Sequence, residues 1–263
     1  MTKKLIIQIT DMHLFKNAGE TLLGVNTLSS YKAVVKDVKQ NYPNPDLILL
    51  TGDLAQDETT AAYKRLVDEL TVFHCPKYGF PGNHDDEHHM LSVFKENHLQ
   101  ENRDIIVDNW NLILLNTQKR HAVEGFLNED QLRFLDRSLG MYPEHATLIF
   151  MHHPPMPVGS AWIDKLNLSN PEPFWEILNS YHHVKAIFCG HVHQQFEGTM
   201  NNVTVFATPS TCFQFATNSR KFAVENLMPG YRVIEIDEQG NYQTKVHRIS
   251  NYDLNLDISS GGY

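Results

Sequence analysis

The residues best able to do chemistry fall in five short clusters: Asp11-Met12-His13, Gly52-Asp53, Gly82-Asn83-His84-Asp85, His152-His153 and Gly190-His191-Val192-His193. Aspartate, asparagine and histidine supply oxygen and imidazole donors. That mixture suits iron, manganese, zinc or cobalt better than calcium, and no thiolate is among it. Residues two apart in an extended chain project to one face, so Asp11 with His13, and His191 with His193, can each aim two ligands at a common region. Each cluster alone has an ordinary reading: a surface Asp-x-His, a strand-to-loop Gly-Asp turn, or paired histidines satisfied at a strand end. "PGNHDDEHH", residues 81–89, is the richest stretch, yet Asp86 and Glu87 sit where the first turn of a helix favours acids.

What the clusters share is position. "KLIIQIT", "DLILLTG", "KYGFPG", "NLILLNT", "TLIFMHH" and "VKAIFCGH" read as buried strands, and five of these six run straight into a cluster at the C-terminal end. In open α/β sheets that edge is where ligands bind. Between the strands, "TLSSYKAVVKDVKQ", "TTAAYKRLVDELTVF", "DDEHHMLSVFKENH", "NEDQLRFLDRSLG" and "EPFWEILNSY" place apolar residues three and four apart, as amphipathic helices do. The pattern predicts an α/β fold. After residue 200, "VTVFATPS" and "YRVIEIDEQGNYQTKVHRI" predict further strands, the latter a hairpin about Gln239 and Gly240, and a second sheet. No repeat or linker divides the 263 residues, so one domain is expected over 1–263. Within it lie an irregular insertion at 154–173 on the substrate side and a loose tail at 259–263.

Charge and composition exclude several partners. The formal net charge is −9, from 22 basic and 31 acidic residues, with no basic run beyond Lys3-Lys4, which argues against nucleic acid. No apolar stretch approaches a membrane span, so no membrane partner is expected. An odd cysteine count (Cys75, Cys189 and Cys212) argues against a disulfide framework and predicts a cytoplasmic protein.

The ordered set Asp-x-His, Gly-Asp, Gly-Asn-His-Asp, a lone His and Gly-His-x-His resembles the calcineurin-like metallophosphoesterase family. The resemblance implies two packed mixed β-sheets flanked by helices, an αββα sandwich, and a two-metal centre, iron and/or manganese being expected and zinc or cobalt possible. It implies that Asp11, His13, Asp53 and His193 hold one metal, that Asp53, Asn83, His152 and His191 hold the other, and that Asp53 bridges. Either histidine of "MHHPP" could bind, but the family's ligand precedes the proline by two positions, which implies His152 and leaves His153 to packing or to orienting a ligand. His84 is implied to contact the phosphoryl group and to protonate the leaving oxygen. Two metals about 4 Å apart can hold a hydroxide and neutralise phosphate oxygens during in-line attack.

"LLGVNTLSSYKAV", "TGDLAQD", "FPGNHD", "GSAWID", "FCGHVHQ", "ATPSTCFQF" and "PGYRVIEI" together look like bacterial class III 3′,5′-cyclic AMP phosphodiesterases. That resemblance implies hydrolysis of the small-molecule cyclic nucleotide to 5′-AMP, with His13, Asp53, Asn83, His84 and His193 lining the AMP phosphate. Trp162 and Phe213 are then expected to shape the base and ribose pocket. The alternatives are a broad phosphodiesterase or glycerophosphodiesterase using the same metals, and, from another class, a non-catalytic scaffold on the same fold. A scaffold would be free to lose ligands, and none of these positions is lost.

Overall fold

The computed structural model describes residues 3–100 and 102–259, so the expected tail, apart from Ser259, lies outside the described residues. Numbered along the chain, the strands of the two large sheets are β1 (Lys3–Ile9), β2 (Leu47–Thr51), β3 (Lys77–Phe80), β4 (Asp104–Val107), β5 (Trp110–Leu115), β6 (Ala146–Met151), β7 (Val184–Cys189), β8 (Phe196–Met200), β9 (Val203–Ala207), β10 (Gly230–Asp237) and β11 (Tyr242–Arg248). The helices are α1 (Thr27–Asn41), α2 (Thr60–Glu69), α3 (Glu87–Glu96), α4 (Glu129–Met141) and α5 (Pro171–Leu178). Asn26, Thr59, Asp86 and Asn128 cap the first four, each side chain accepting from an amide of the first turn. In α5 a proline stands in the first turn instead.

The first sheet runs β11, β10, β1, β2, β3, and the second runs β8, β9, β7, β6, β5, β4. Each is parallel at its centre and antiparallel at one or both edges: β1, β2 and β3 run together, as do β9, β7, β6 and β5. The period-two alternation of the strands divides their apolar residues between layers. Leu47 and Leu49 of β2 face the other sheet, while Ile48 and Leu50 face α1, α2 and α3. Leu148 and Phe150 of β6 likewise face inward, and Ile149 and Met151 meet α4 and α5. The order of layers is helices, sheet, sheet, helices, as the resemblance implies.

Every predicted strand and helix is present. Within the two large sheets two strands were not predicted: β4, whose "DIIV" is short, and β8, whose "FEGTM" has little apolar character. The two-residue strands Thr21–Leu22, Val25–Asn26, Gln214–Phe215 and Val224–Glu225 outside those sheets were not predicted either. The second sheet also differs in composition from the expected one. The C-terminal hairpin β10–β11 extends the first sheet beside β1, and the second sheet is built from residues 104–207. The segment 154–173 is not wholly irregular, since it contains a 3₁₀ turn at Asp164–Leu166 and the start of α5. No helix among the described residues is long and apolar enough to cross a membrane.

Candidate metal centre

Beyond the C-terminal ends of β1, β2, β3, β6 and β7, the predicted residues converge. Asp11, His13 and His193 form one group, Asp11, Asp53 and His152 a second, His13, Asp53 and His84 a third, and His152, His153 and His191 a fourth; within each, the ligand atoms lie within 4.8 Å of one another. Asn83 joins them through its Oδ1, 3.1 Å from His191 Nδ1 and 3.2 Å from His153 Nε2. The first sheet supplies Asp11, His13, Asp53, Asn83 and His84, and the second supplies the remaining histidines.

The Asp-x-His and His-x-His pairs do converge, but not in extended chain. Asp11, His13, Asp53, His191 and His193 have φ of +55°, +49°, +52°, +67° and +46°. The strands end at Ile9 and Cys189, and the backbone then kinks left-handed at alternate residues. Asp and His are among the few side chains that tolerate this region, and such strain persists where surroundings over-determine it. Here they do: Asp11 N–H donates to Gly52 O (3.0 Å), His13 N–H to Asp53 O (2.9 Å) and His191 N–H to the Asp11 carboxylate (3.1 Å). Gly52 shares the left-handed backbone at φ +91°, and a side chain there would also overlap the His152 imidazole. At Gly82 a Cβ would overlap Asp53.

Each ring is aimed by its far nitrogen. His13 Nδ1–H donates to Gln56 Oε1 (2.7 Å), His152 Nδ1–H to Thr51 O (2.9 Å) and His193 Nδ1–H to Phe213 O (2.9 Å). That fixes the tautomer and leaves three Nε2 lone pairs pointing inward. His13 Nε2 and His193 Nε2 are 3.0 Å apart, where two lone pairs repel unless a cation or proton lies between them. Ligand atoms about 2.1 Å from a cation and 90° apart would stand roughly 3.0 Å from each other. His152 Nε2 lies 3.1 Å from Asp53 Oδ2, and His191 Nε2 is buried with no hydrogen-bond partner among the described residues. The donor set fits a pair of cations.

Burial pushes the His13 and His153 rings down to about 3. It works the same way on His152, but Asp53 and Asp11 outweigh it and hold that ring at about 9. Burial would raise both carboxylates, yet His193 draws Asp11 down and His152 draws Asp53 down. Two buried anions therefore recruit whatever positive charge is at hand, a proton or a metal.

The members of "PGNHDDEHH" separate. Asn83 joins the ligands, and His84 stands beside them, its ring 5.1 Å from that of His13 and its N–H donating to Asp53 Oδ1 at 2.9 Å. Asp86 caps α3, and Glu87 and His88 are exposed. Asp86→Ala is expected to cost about 1 kcal/mol of stability through the lost cap and, like His88→Ala, to leave bound metal unchanged, whereas Asn83→Ala lowers it; elemental analysis of the three variants decides this.

Asp85 fixes the turn. Its carboxylate accepts from Gly82 N (2.8 Å), Leu54 N (3.1 Å), Ala55 N (2.9 Å) and Tyr63 Oη (3.0 Å), tying the Gly-Asp loop to the Gly-Asn-His loop. Burial and Asp53 push its pKa up to about 7 against these donors. Asp85→Asn turns an NH₂ onto amide N–H groups and is expected to cost on the order of 2 kcal/mol in urea unfolding at pH 8; an unchanged midpoint would contradict this account.

His153 is fully buried behind Asn83: Thr117 Oγ1 lies 2.7 Å from Nδ1, and Nε2–H reaches both Val123 O (3.0 Å) and Asn83 Oδ1 (3.2 Å). Both nitrogens are engaged, which suits a positioning role for this ring. Phe213 is also fully buried, stacked 6.3 Å from the His13 ring and tilted against that of His193 at 4.9 Å, so it packs beneath the candidate ligands and does not line a base pocket. Trp162 packs edge-on to Phe215 at 4.9 Å and Phe222 at 5.3 Å. Sequence reasoning missed Gln56 and Gln118. Gln56 lies in "TGDLAQD" with nothing in its spacing to mark it, and Gln118 holds the Asn83 turn by donating to Gly82 O (2.8 Å) and Asp85 O.

The family model for calcineurin-like phosphoesterases matches residues 4–195. The chain is 38% identical over 259 residues to the 3′,5′-cyclic adenosine monophosphate phosphodiesterase CpdA of Escherichia coli K12, covering 98% of this chain and 94% of that one. It is 37% identical to a 3′,5′-cyclic-nucleotide phosphodiesterase of Nostoc, covering 93% and 92%. Among solved structures, a dimetal phosphatase from Danio rerio shares the fold with a TM-score of 0.63 at 16% identity, covering 88% of this chain and 95% of that one. The chain belongs to the calcineurin-like phosphoesterase family.

Proposed function

We propose that this protein is a metal-dependent phosphodiesterase that hydrolyses 3′,5′-cyclic AMP to 5′-AMP. The observation that carries the chemistry is the set of inward-facing Nε2 lone pairs around two buried carboxylates. Support for the substrate comes from the relatives, which match along nearly the whole chain. Asp11, His13, Asp53 and His193 would hold one cation and Asp53, Asn83, His152 and His191 the other, iron and/or manganese suiting this donor set. Bound there, the two cations would supply Lewis-acid charge for the phosphate oxygens and activate a water for in-line attack.

The chain's own residues do the rest. His13, Asp53, Asn83, His84 and His193 surround the phosphate, and Asn83 adds a donor without adding negative charge near an anion. As the P–O3′ bond breaks, the leaving oxygen takes a proton, and His84, half-exposed at the edge of the ligand group, is the residue we assign to give it. A cavity of about 270 Å³ adjoins Asn83, lined by Lys119, Arg120 and His121 together with the acidic Glu58, Asp86 and Glu87. It is slightly below the size range of typical small-ligand sites, and the nucleoside half of the substrate is assigned to it. The free thiols of Cys75, Cys189 and Cys212 suit the reducing cytoplasm.

The test is a substrate panel on protein reconstituted separately with iron, manganese and zinc. Cyclic AMP is expected to give the highest kcat/KM among 3′,5′-cyclic AMP, 2′,3′-cyclic nucleotides and glycerophosphodiesters. A preference for glycerophosphodiesters would replace this reading, and an inactive, metal-free protein would favour the scaffold.

A further inference from the structure

The face between the two sheets changes character at the end nearest the ligands. Along β1, β2 and β10 it reads Ile6, Leu49 and Ile234, all in the apolar layer, and one two-residue step further on it reads Gln8, Thr51 and Arg232. Gln8 and Arg232 are direct cross-strand partners, and all three are buried, Arg232 at 3% exposure. Arg232 forms no ion pair among the described residues; its guanidinium lies 4.9 Å from the Phe206 ring. A methionine of similar length would avoid the desolvation of that charge, so the hydrogen bonds the guanidinium makes, one of them to Thr244 Oγ1 (3.2 Å) on β11, have to offset it.

Arg232 Nε–H donates to Thr208 Oγ1 (3.0 Å) and its NH2 group to Ala207 O (2.8 Å), both at the end of β9 in the opposite sheet. Thr208 Oγ1–H donates to Gln8 Oε1 (2.7 Å), and Gln8 Nε2–H donates to Thr51 Oγ1 (3.0 Å) and, at 3.4 Å, to Cys189 O of β7. Thr51 then accepts His152 Nδ1–H on its carbonyl, and Cys189 directly precedes Gly190-His191. The chain thus crosses the sheet interface three times, at Arg232–Thr208, Thr208–Gln8 and Gln8–Cys189, and ends on backbone beside candidate ligands of both sheets. Apolar packing is non-directional and lets sheets slide, whereas these bonds fix their relative position.

We infer that Arg232, Thr208 and Gln8 form a lock that holds the two sheets at the spacing the two-metal ligand set requires. Arg232 is a positioning residue, acting through Thr208, Gln8 and Thr51. The inference rests on the dinuclear reading above. It also gives a purpose to "PGYRVIEI" and "ATPSTCFQF", segments that contain Arg232 and Thr208 and hold no candidate ligand.

The experiment loads the full chain with manganese and compares wild type, Arg232→Met and Thr208→Val by metal stoichiometry, affinity for each equivalent, electron paramagnetic resonance and the melting temperature of the metal-free protein. Wild type is expected to bind two ions with an exchange-coupled spectrum. Both variants should weaken the second equivalent about tenfold or more, as loss of a ligand-orienting contact does, and lose the coupled signal while their metal-free melting temperatures stay close to wild type. Wild-type binding and coupling in both variants overturns the lock, even if stability falls. Should Arg232→Met fail to fold, Thr208→Val, which removes one hydroxyl, decides alone. A wild type that does not bind two ions overturns the dinuclear reading and the lock with it, and is recognised without any variant.

Discussion

Asp53→Asn is expected to bind fewer than one metal per chain and to lose at least about 10³ in kcat/KM, because several kcal/mol of charge stabilisation disappear at once. Asp53 belongs to two of the candidate metal groups: Oδ2 lies 3.1 Å from His152 Nε2 and 3.8 Å from His13 Nε2, while Oδ1 accepts His84 N–H at 2.9 Å. Asparagine keeps the shape, and its carbonyl oxygen can keep the His84 bond. Its NH₂ group must then face His152 and His13, where it donates to the lone pairs that a cation needs. The substitution also removes the negative charge that lowers repulsion between neighbouring cations. The backbone at residue 53 is left-handed, a conformation asparagine accepts readily, so a fold defect is not expected and the circular dichroism spectrum should be unchanged. A variant that keeps two metals and more than about a tenth of the activity would sink the assignment of Asp53 as the bridge.

How the site became legible in the sequence explains which parts did not. Strand and helix identities follow from periodicity, because burial on both faces enforces apolar runs such as "LILLT" and burial on one face enforces spacing such as Val34, Val35 and Val38 in α1. The candidate ligands were legible because they follow those strands at the same edge. β4 and β8 were missed because edge strands need only one partner and little burial; β8 alternates half-buried with exposed positions. The left-handed backbone at Asp11, His13, His191 and His193 was equally hidden, since a one-dimensional pattern records spacing and not φ. Gln56 and Gln118 were missed for a related reason: each acts on a residue far away in sequence or through a backbone carbonyl, leaving no local signature. Arg232 shows the limit best. In the sequence it interrupts the apolar run of "YRVIEI", and its partners, Thr208 and Ala207 in the opposite sheet and Thr244 on the neighbouring strand, become visible only in the fold.

His84→Ala is expected to keep both metals and yet lose about 10² to 10⁴ in kcat on cyclic AMP, the usual worth of a positioned general acid. Geometry leaves two roles open for this ring, since His84 shares a potential metal group with His13 and Asp53. The alanine variant separates them. The bond from residue 84 to Asp53 Oδ1 comes from the backbone N–H and survives the substitution, so the Asp53 carboxylate stays oriented. If His84 were a ligand, metal content would fall together with activity. If it is the acid, the loss must depend on the leaving group. Departure of the ribose 3′ oxygen demands a proton, whereas a nitrophenolate leaves without one. The same variant is therefore expected to lose less than about tenfold on an artificial nitrophenyl phosphodiester. Equal losses on both substrates, with metals retained, would exclude proton donation and leave His84 as a binding contact that stabilises the phosphoryl group in either reaction.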